Sequence, residues 1–103
     1  MDRRAILDRR AILDRLHAAA PDLRRKYGVK SLAVFGSMAR GDDHEGSDVD
    51  ILATFEGPAT FRGFMGLKLD LEDLVGRPVD LGTPDSLRPE IRANVDKNLL
   101  HVP

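Results

Sequence analysis

Apolar residues along this chain recur in two rhythms, one of helical spacing and one of short unbroken runs. Near the start, Ala5, Ile12, Leu16, Ala19 and Leu23 fall on one helical stripe with Arg and Asp between them, which predicts an amphipathic helix to about Ala20. Pro21 then allows a break or a new first turn. After the turn residue Gly28, "SLAVF" at 31–35 is a short Val/Phe-containing run of strand character. Gly36 ends it. "SMAR" is expected to form a helical turn with Ser37 as N-cap and Gly41 closing it. "GDDHEGS" has loop composition, with acids at Asp42, Asp43 and Glu45. "DVDILATF" at 48–55 predicts the second strand, stopped by Gly57-Pro58.

Helical spacing returns at Phe61, Phe64, Met65, Leu67, Leu69, Leu71, Leu74 and Val75, with Gly76 placed as a cap and Gly63 and Gly66 as awkward residues near the start. "RPVDL" at 77–81 is a third, very short strand. A last amphipathic helix is expected after Pro84, with Leu87, Ile91 and Val95 on one face and a short "LLHV" tail behind it. Helices alternating with strands predict an α/β fold, a small mixed β-sheet with helices packed on one side. A chain of 103 residues suits one domain spanning 1–103 and leaves no room for a second core.

The N-terminal segment, residues 1–26, contains a direct repeat, "DRRAIL" at 2–7 and again at 8–13. A period of six rotates each copy around an α-helix, so it defines no solenoid and is expected only to lengthen one helix. Arg3, Arg4, Arg9, Arg10 and Arg15 each have aspartates nearby. That mixture predicts a solvated helix face rather than an RNA-binding one.

The overall charge agrees. Sixteen basic residues against seventeen acidic ones give a net charge of -1, so no bulk attraction to nucleic acid or an anionic membrane is expected. The absence of cysteine removes disulfides and thiolate metal sites and is compatible with a reducing cytoplasm. No apolar run reaches membrane-spanning length, and "MDRRAILDRR" lacks the apolar stretch of a secretory signal. The expected location is the cytoplasm.

Chemistry enters with the acids inside the apolar runs. Side chains at i and i+2 of a strand share a face, so Asp48 and Asp50 project together while Val49 enters the core. Two ionised carboxylates that close repel each other, and a compensating cation relieves the cost of burying them. Magnesium suits such a site because it takes hard oxygen ligands shared between carboxylates and substrate phosphates. Asp80, between Val79 and Leu81, adds a third carboxylate if its strand pairs beside that of Asp48. Gly36-Ser37, between the first strand and a helical turn, is suited to phosphate: glycine permits close backbone approach, a helix start offers free N–H groups, and Ser37 adds a hydroxyl. Arg40 lies one turn on, within reach of the same phosphates. His17, His44 and His101 are isolated and expected at the surface. Tyr27 is expected to pack between helix and strand.

Gly36-Ser37, ten intervening residues, Asp48-Val49-Asp50 and then Asp80 on a later strand form a specific combination. It resembles the minimal nucleotidyltransferases of the DNA polymerase beta superfamily. "SLAVFGSMARGDDHEGSDVDIL" is similar to that family's core, and "LEDLVGRPVDLGTPDSLRPEIR" to its third-acid strand and closing helix. The duplicated start lies outside the likeness. The resemblance implies a palm-like sheet, catalytic and magnesium-holding roles for Asp48, Asp50 and Asp80, and ATP phosphates on Gly36 and Ser37. One magnesium ion would bridge Asp48 and Asp50, with a second shared with Asp80. Family members of this size are typically antitoxins encoded with a HEPN ribonuclease toxin, some of them transferring AMP from ATP to a tyrosine of that toxin. A hetero-oligomer with such a toxin is therefore implied. Two other functions fit the same residues: an antitoxin with an idle nucleotide site that acts by binding alone, and a small-molecule nucleotidyltransferase, which would need an acceptor domain that 103 residues do not evidently supply.

The repeat yields a first prediction. Deleting residues 2–7 removes one whole copy and restores the local sequence at Asp8, so the melting temperature is expected to change by less than about 3 °C, within the range of surface changes. Thermal denaturation of the deletion variant checks this, and a large fall would show that the first copy packs on the domain.

Overall fold

A computed structural model describes residues 9–41, 48–86 and 99–102, with Ser37 described in its backbone alone. Helix α1 (Arg9–Tyr27) leads into strand β1 (Val29–Phe35), the short helix α2 (Gly36–Arg40) and strand β2 (Val49–Phe55). Helix α3 (Phe61–Val75), strand β3 (Val79–Gly82), a 3-10 turn (Pro84–Ser86) and strand β4 (Leu100–Val102) complete it. The final helix expected through Leu87, Ile91 and Val95, the first repeat copy, Ala5 and His44 lie outside the described residues.

The sheet order is β3-β2-β1-β4. β1 runs antiparallel to both β2 and β4, while β2 and β3 are parallel. The sheet is thus mixed, as expected. A parallel pair cannot be closed by a tight turn and needs a crossover. α3 is that crossover.

Ile12, Leu16, Ala20 and Leu23 of α1 and Leu67, Leu71 and Val75 of α3 bury against Leu32 and Val34, Val49, Ile51 and Ala53, and Val79 and Leu81 of the strands. The buried positions of β2 and β3 alternate, which places their intervening residues on the other face of the sheet. The predicted helical stripe is correct in Ile12, Leu16 and Leu23, with Ala19 only half-buried beside buried Ala20.

Four local expectations are corrected or extended. α1 continues through Pro21 to Tyr27. Both Pro21 and His17 are exposed, so the His17 carbonyl, deprived of its i+4 donor, can turn to solvent. β4 is a strand where only a tail was expected; its Leu100-His101-Val102 alternation is too short to stand out, and pairing with Leu32, Ala33 and Val34 makes it a strand. Phe61 and Leu69 of α3, expected in its apolar stripe, are 82% and 56% exposed. Tyr27, expected between helix and strand, packs on the core and also meets the second helix α3. Its hydroxyl donates to Asp70 Oδ2 on α3, and Lys26 Nζ donates to the same oxygen at 3.0 Å.

The two awkward glycines of α3 now have physical reasons. Gly63 N donates to the N-cap oxygen of Thr60 at 2.9 Å, and a Cβ on Gly63 would lie 3.0 Å from that oxygen. A Cβ on Gly66 would lie 2.9 Å from Tyr27 Cε1, inside contact distance. The ring of Tyr27, held by its hydroxyl on Asp70, occupies the space. Gly76 ends α3 in left-handed backbone (φ 71°), its N–H donating to Glu72 O at 2.9 Å. Among the described residues, no helix is long and apolar enough to cross a membrane.

A Gly→Ala change inside a helix ordinarily gains up to about 1 kcal/mol. Here the sign is expected to reverse: Gly66→Ala loses about 1–2 kcal/mol through overpacking, a fall in melting temperature of about 4–12 °C for a domain of this size. In a Tyr27→Ala background the same change is expected to stabilise. Thermal melts of the four proteins of this cycle decide it.

Candidate active site

The site is built where three strand ends meet. β1 delivers Gly36, β2 begins beside Asp48, and β3 begins just before Asp80. Asp50 and Asp80 stand directly opposite one another on the parallel β2–β3 ladder, and Phe35 is the partner of Asp50 on the other side. Because Val49 and Ile51, and Val79 and Leu81, are buried in the core, both aspartates project from the face away from it. The conditional expectation that the Asp80 strand pairs beside that of Asp48 is realised.

Asp48 immediately precedes β2 and is exposed, Asp50 is half-buried, and Asp80 is exposed. Among the described residues, no three carboxylate, histidine or cysteine side chains gather closely enough to hold a metal ion as they stand. Asp50 is the electrostatic centre of the group. Burial pushes its carboxyl above the ordinary value, and the neighbouring charges of Asp80 and Asp48 push it further, against an opposing pull from Arg40. The acids thus impose a negative field on a partly desolvated carboxyl, a donor set suited to a hard divalent cation.

Gly36 has a local role beyond the one expected. Its φ of 70° is left-handed, and a Cβ there would overlap Asp50 Oδ2 and lie 3.0 Å from Asp50 Cγ. The missing side chain makes room for the Asp50 carboxylate itself. α2 starts at Gly36 rather than Ser37, and it ends at Arg40, which is exposed. Gly41 follows with φ 82°, in agreement with its expected closing role.

Two positioning contacts were not visible in the sequence. Glu72 Oε2 accepts from the backbone N–H of Val79 at 2.9 Å and from Lys68 Nζ at 2.8 Å. These donors, Lys68 first, hold the Glu72 carboxyl below its ordinary value. The charged carboxylate thereby pins the residue before Asp80. Val49 N donates to Pro78 O at 2.9 Å, locking the start of β2 to the approach of β3. Only the i,i+4 pairing of Lys68 with Glu72 could have drawn attention to this glutamate.

The second contact comes from α1. Arg9 Nε donates to Met38 O at 2.7 Å, and Arg9 Nη2 reaches Ala39 O at 3.5 Å. Arg15 Nη1 donates to Leu74 O at 3.2 Å and Arg24 Nη2 to Val102 O at 2.9 Å. Arg10 and Arg15 are exposed, as expected of a solvated face, and Arg9 is half-buried; Arg9 and Arg15 each also bond a carbonyl of another element. These partners lie 29 or more residues away, beyond any local pattern. His17 and His101 are exposed as expected, yet both line one cavity of about 410 Å³ beside Leu13 and Leu100, away from the acids.

Comparison with known proteins agrees with this geometry. The profile of the family described as a nucleotidyltransferase domain matches residues 16–100. The protein adenylyltransferase MntA of Thermococcus cleftensis is 40% identical over 87 residues, covering 84% of this chain and 88% of its own. A solved structure described as a candidate minimal nucleotidyltransferase superposes with a TM-score of 0.79 at 35% identity, covering 91% of this chain and 95% of that one. A chain from the complex of a tri-AMPylated HEPN toxin of Shewanella oneidensis with its MNT antitoxin gives 0.64 at 16% identity, over 87% of this chain and 71% of that one, a likeness of fold. With the family profile spanning most of its length and a relative of this identity matched nearly end to end, the chain belongs to the nucleotidyltransferase domain family.

Proposed function

We propose that this protein is an antitoxin that transfers AMP from ATP to a tyrosine hydroxyl of a cognate HEPN ribonuclease toxin, inactivating it within a cytoplasmic hetero-oligomer. The observation that carries the reading is Asp50 opposite Asp80 across a parallel ladder, with Gly36 of the Gly36–Ser37 turn against the Asp50 carboxylate. Support for a protein acceptor comes from the 40% identical relative named as a protein adenylyltransferase. Support for the toxin comes from the fold shared with the HEPN–MNT complex.

Asp48, Asp50 and Asp80 are the residues that would hold magnesium, and the raised carboxyl of Asp50 is the observation that fits them to a cation. Bound there, magnesium would neutralise triphosphate charge and lower the pKa of a phenol from about 10. The chain's own residues do the rest. Backbone N–H groups of Gly36 and Ser37 bind phosphate oxygens, and Arg40 supplies positive charge beside Asp50. The acceptor oxygen attacks the α-phosphorus, the bond to pyrophosphate breaks, and the hydroxyl proton passes to a carboxylate. Asp80, which is exposed, serves as that carboxylate in this reading. In this reading the partner supplies the acceptor, as the tri-AMPylated HEPN toxin does in the complex that shares this fold.

Asp80→Asn keeps the shape and loses both charge and basicity. Transfer is expected to fall by at least about 100-fold, the lower range for general acid-base catalysis. Mass spectrometry of the partner after incubation with ATP and magnesium reads this directly; undiminished adenylation by the variant would remove Asp80 from the chemistry.

The raised pKa of Asp50 also has a stability signature. Between the ordinary carboxylate value, about 4, and the raised one, the folded protein keeps a proton that the unfolded chain has lost. Stability without divalent ions therefore falls as pH rises through that window. Asp50→Asn is expected to melt above the unsubstituted protein at pH 7, the gap closing at acid pH. Melts across this pH range in chelator check the sign.

A further inference from the structure

α2 is a five-residue helix, too short to hold itself together. Its placement nevertheless decides where the Gly36–Ser37 turn and Arg40 sit. One anchor is Gly36, backed by the Asp50 carboxylate. Another is Met38, fully buried in the core. The last C=O groups of the helix have no partner inside it. Gly41 N reaches Met38 O only at 3.4 Å.

We propose that Arg9 is a positioning residue for the nucleotide site: its guanidinium clamps the carbonyl end of α2 and so holds the Gly36–Ser37 turn and Arg40 at the acids. The contact is bidentate in character, Nε on Met38 O at 2.7 Å and Nη2 towards Ala39 O at 3.5 Å. A cation at a helix C-terminus also complements the backbone dipole. The planar fork of arginine reaches successive carbonyls in one geometry, whereas lysine offers a single point charge. Among the described residues, the bonds of Arg9 run to α2. Its influence passes through α2 to the turn.

This inference rests on the nucleotide-binding reading for its functional half alone, so the test has two arms. The first is hydrogen exchange of the intact protein without ligand. Arg9→Ala is expected to speed exchange at the amides of Met38–Gly41 about tenfold, in keeping with loss of a charged hydrogen bond, with β1 and α3 unchanged. The second is calorimetric titration of ATP with magnesium. Arg9→Ala is expected to weaken binding about tenfold and Arg9→Lys to recover part of it. Arg15→Ala, which removes the comparable clamp on Leu74 O of α3, is the control and is expected to lower the melting temperature without moving ATP affinity.

Unchanged exchange in α2 of Arg9→Ala would overturn the clamp. Equal weakening by Arg15→Ala would overturn its specificity for the site. If the unsubstituted protein binds no ATP, the nucleotide reading fails while the exchange arm still decides whether Arg9 holds α2.

Discussion

The structure depends on one pairing, the parallel register that sets Asp50 of β2 against Asp80 of β3. Parallel strands need a crossover, so α3 must leave the end of β2, cross the sheet and return. Its apolar face then requires a second helix, which α1 provides, and the two helices cover one face of the sheet. The acids are left on the other. A one-residue slip of β3 would turn Asp80 into the core and Val79 out of it. Hydrophobic burial of Val79 and Leu81 therefore enforces the juxtaposition of two like charges.

Burial first, and then the neighbouring charges of Asp80 and Asp48, raise the Asp50 carboxyl above its ordinary value. The fold sustains this juxtaposition with local devices that are each modest. Glu72 holds the start of β3 through Val79 N. Val49 N on Pro78 O holds β2 beside it. Gly36 removes the one Cβ that would displace the Asp50 carboxylate.

α1 contributes more than an apolar face. Arg9, Arg15 and Arg24 donate to carbonyls of α2, α3 and β4 respectively. Each carbonyl lies at or near the end of a helix or strand, where backbone acceptors lack partners within their own element. Mixed charges along a helix describe a solvated surface and a set of inter-element clamps equally well. Composition cannot separate them.

Much of this protein was determined by sequence alone. The period-two placement of Asp50 between Val49 and Ile51, and of Asp80 between Val79 and Leu81, put acids on the non-core face, because alternation in a strand is a local property. Helical spacing from Phe64 to Val75 and the Gly76 cap placed α3 for the same reason. Tertiary structure decided whether β3 would lie beside β2, that Leu100–Val102 would become a strand, that α1 would run through Pro21, and that Gly66 would yield space to Tyr27. It also decided that Arg9 would bond α2 and Glu72 the start of β3. In all these cases the partner is remote in the chain or the outcome depends on exposure in the folded protein, and no local pattern specifies either; only packing the helices on the sheet brings those groups within hydrogen-bonding reach.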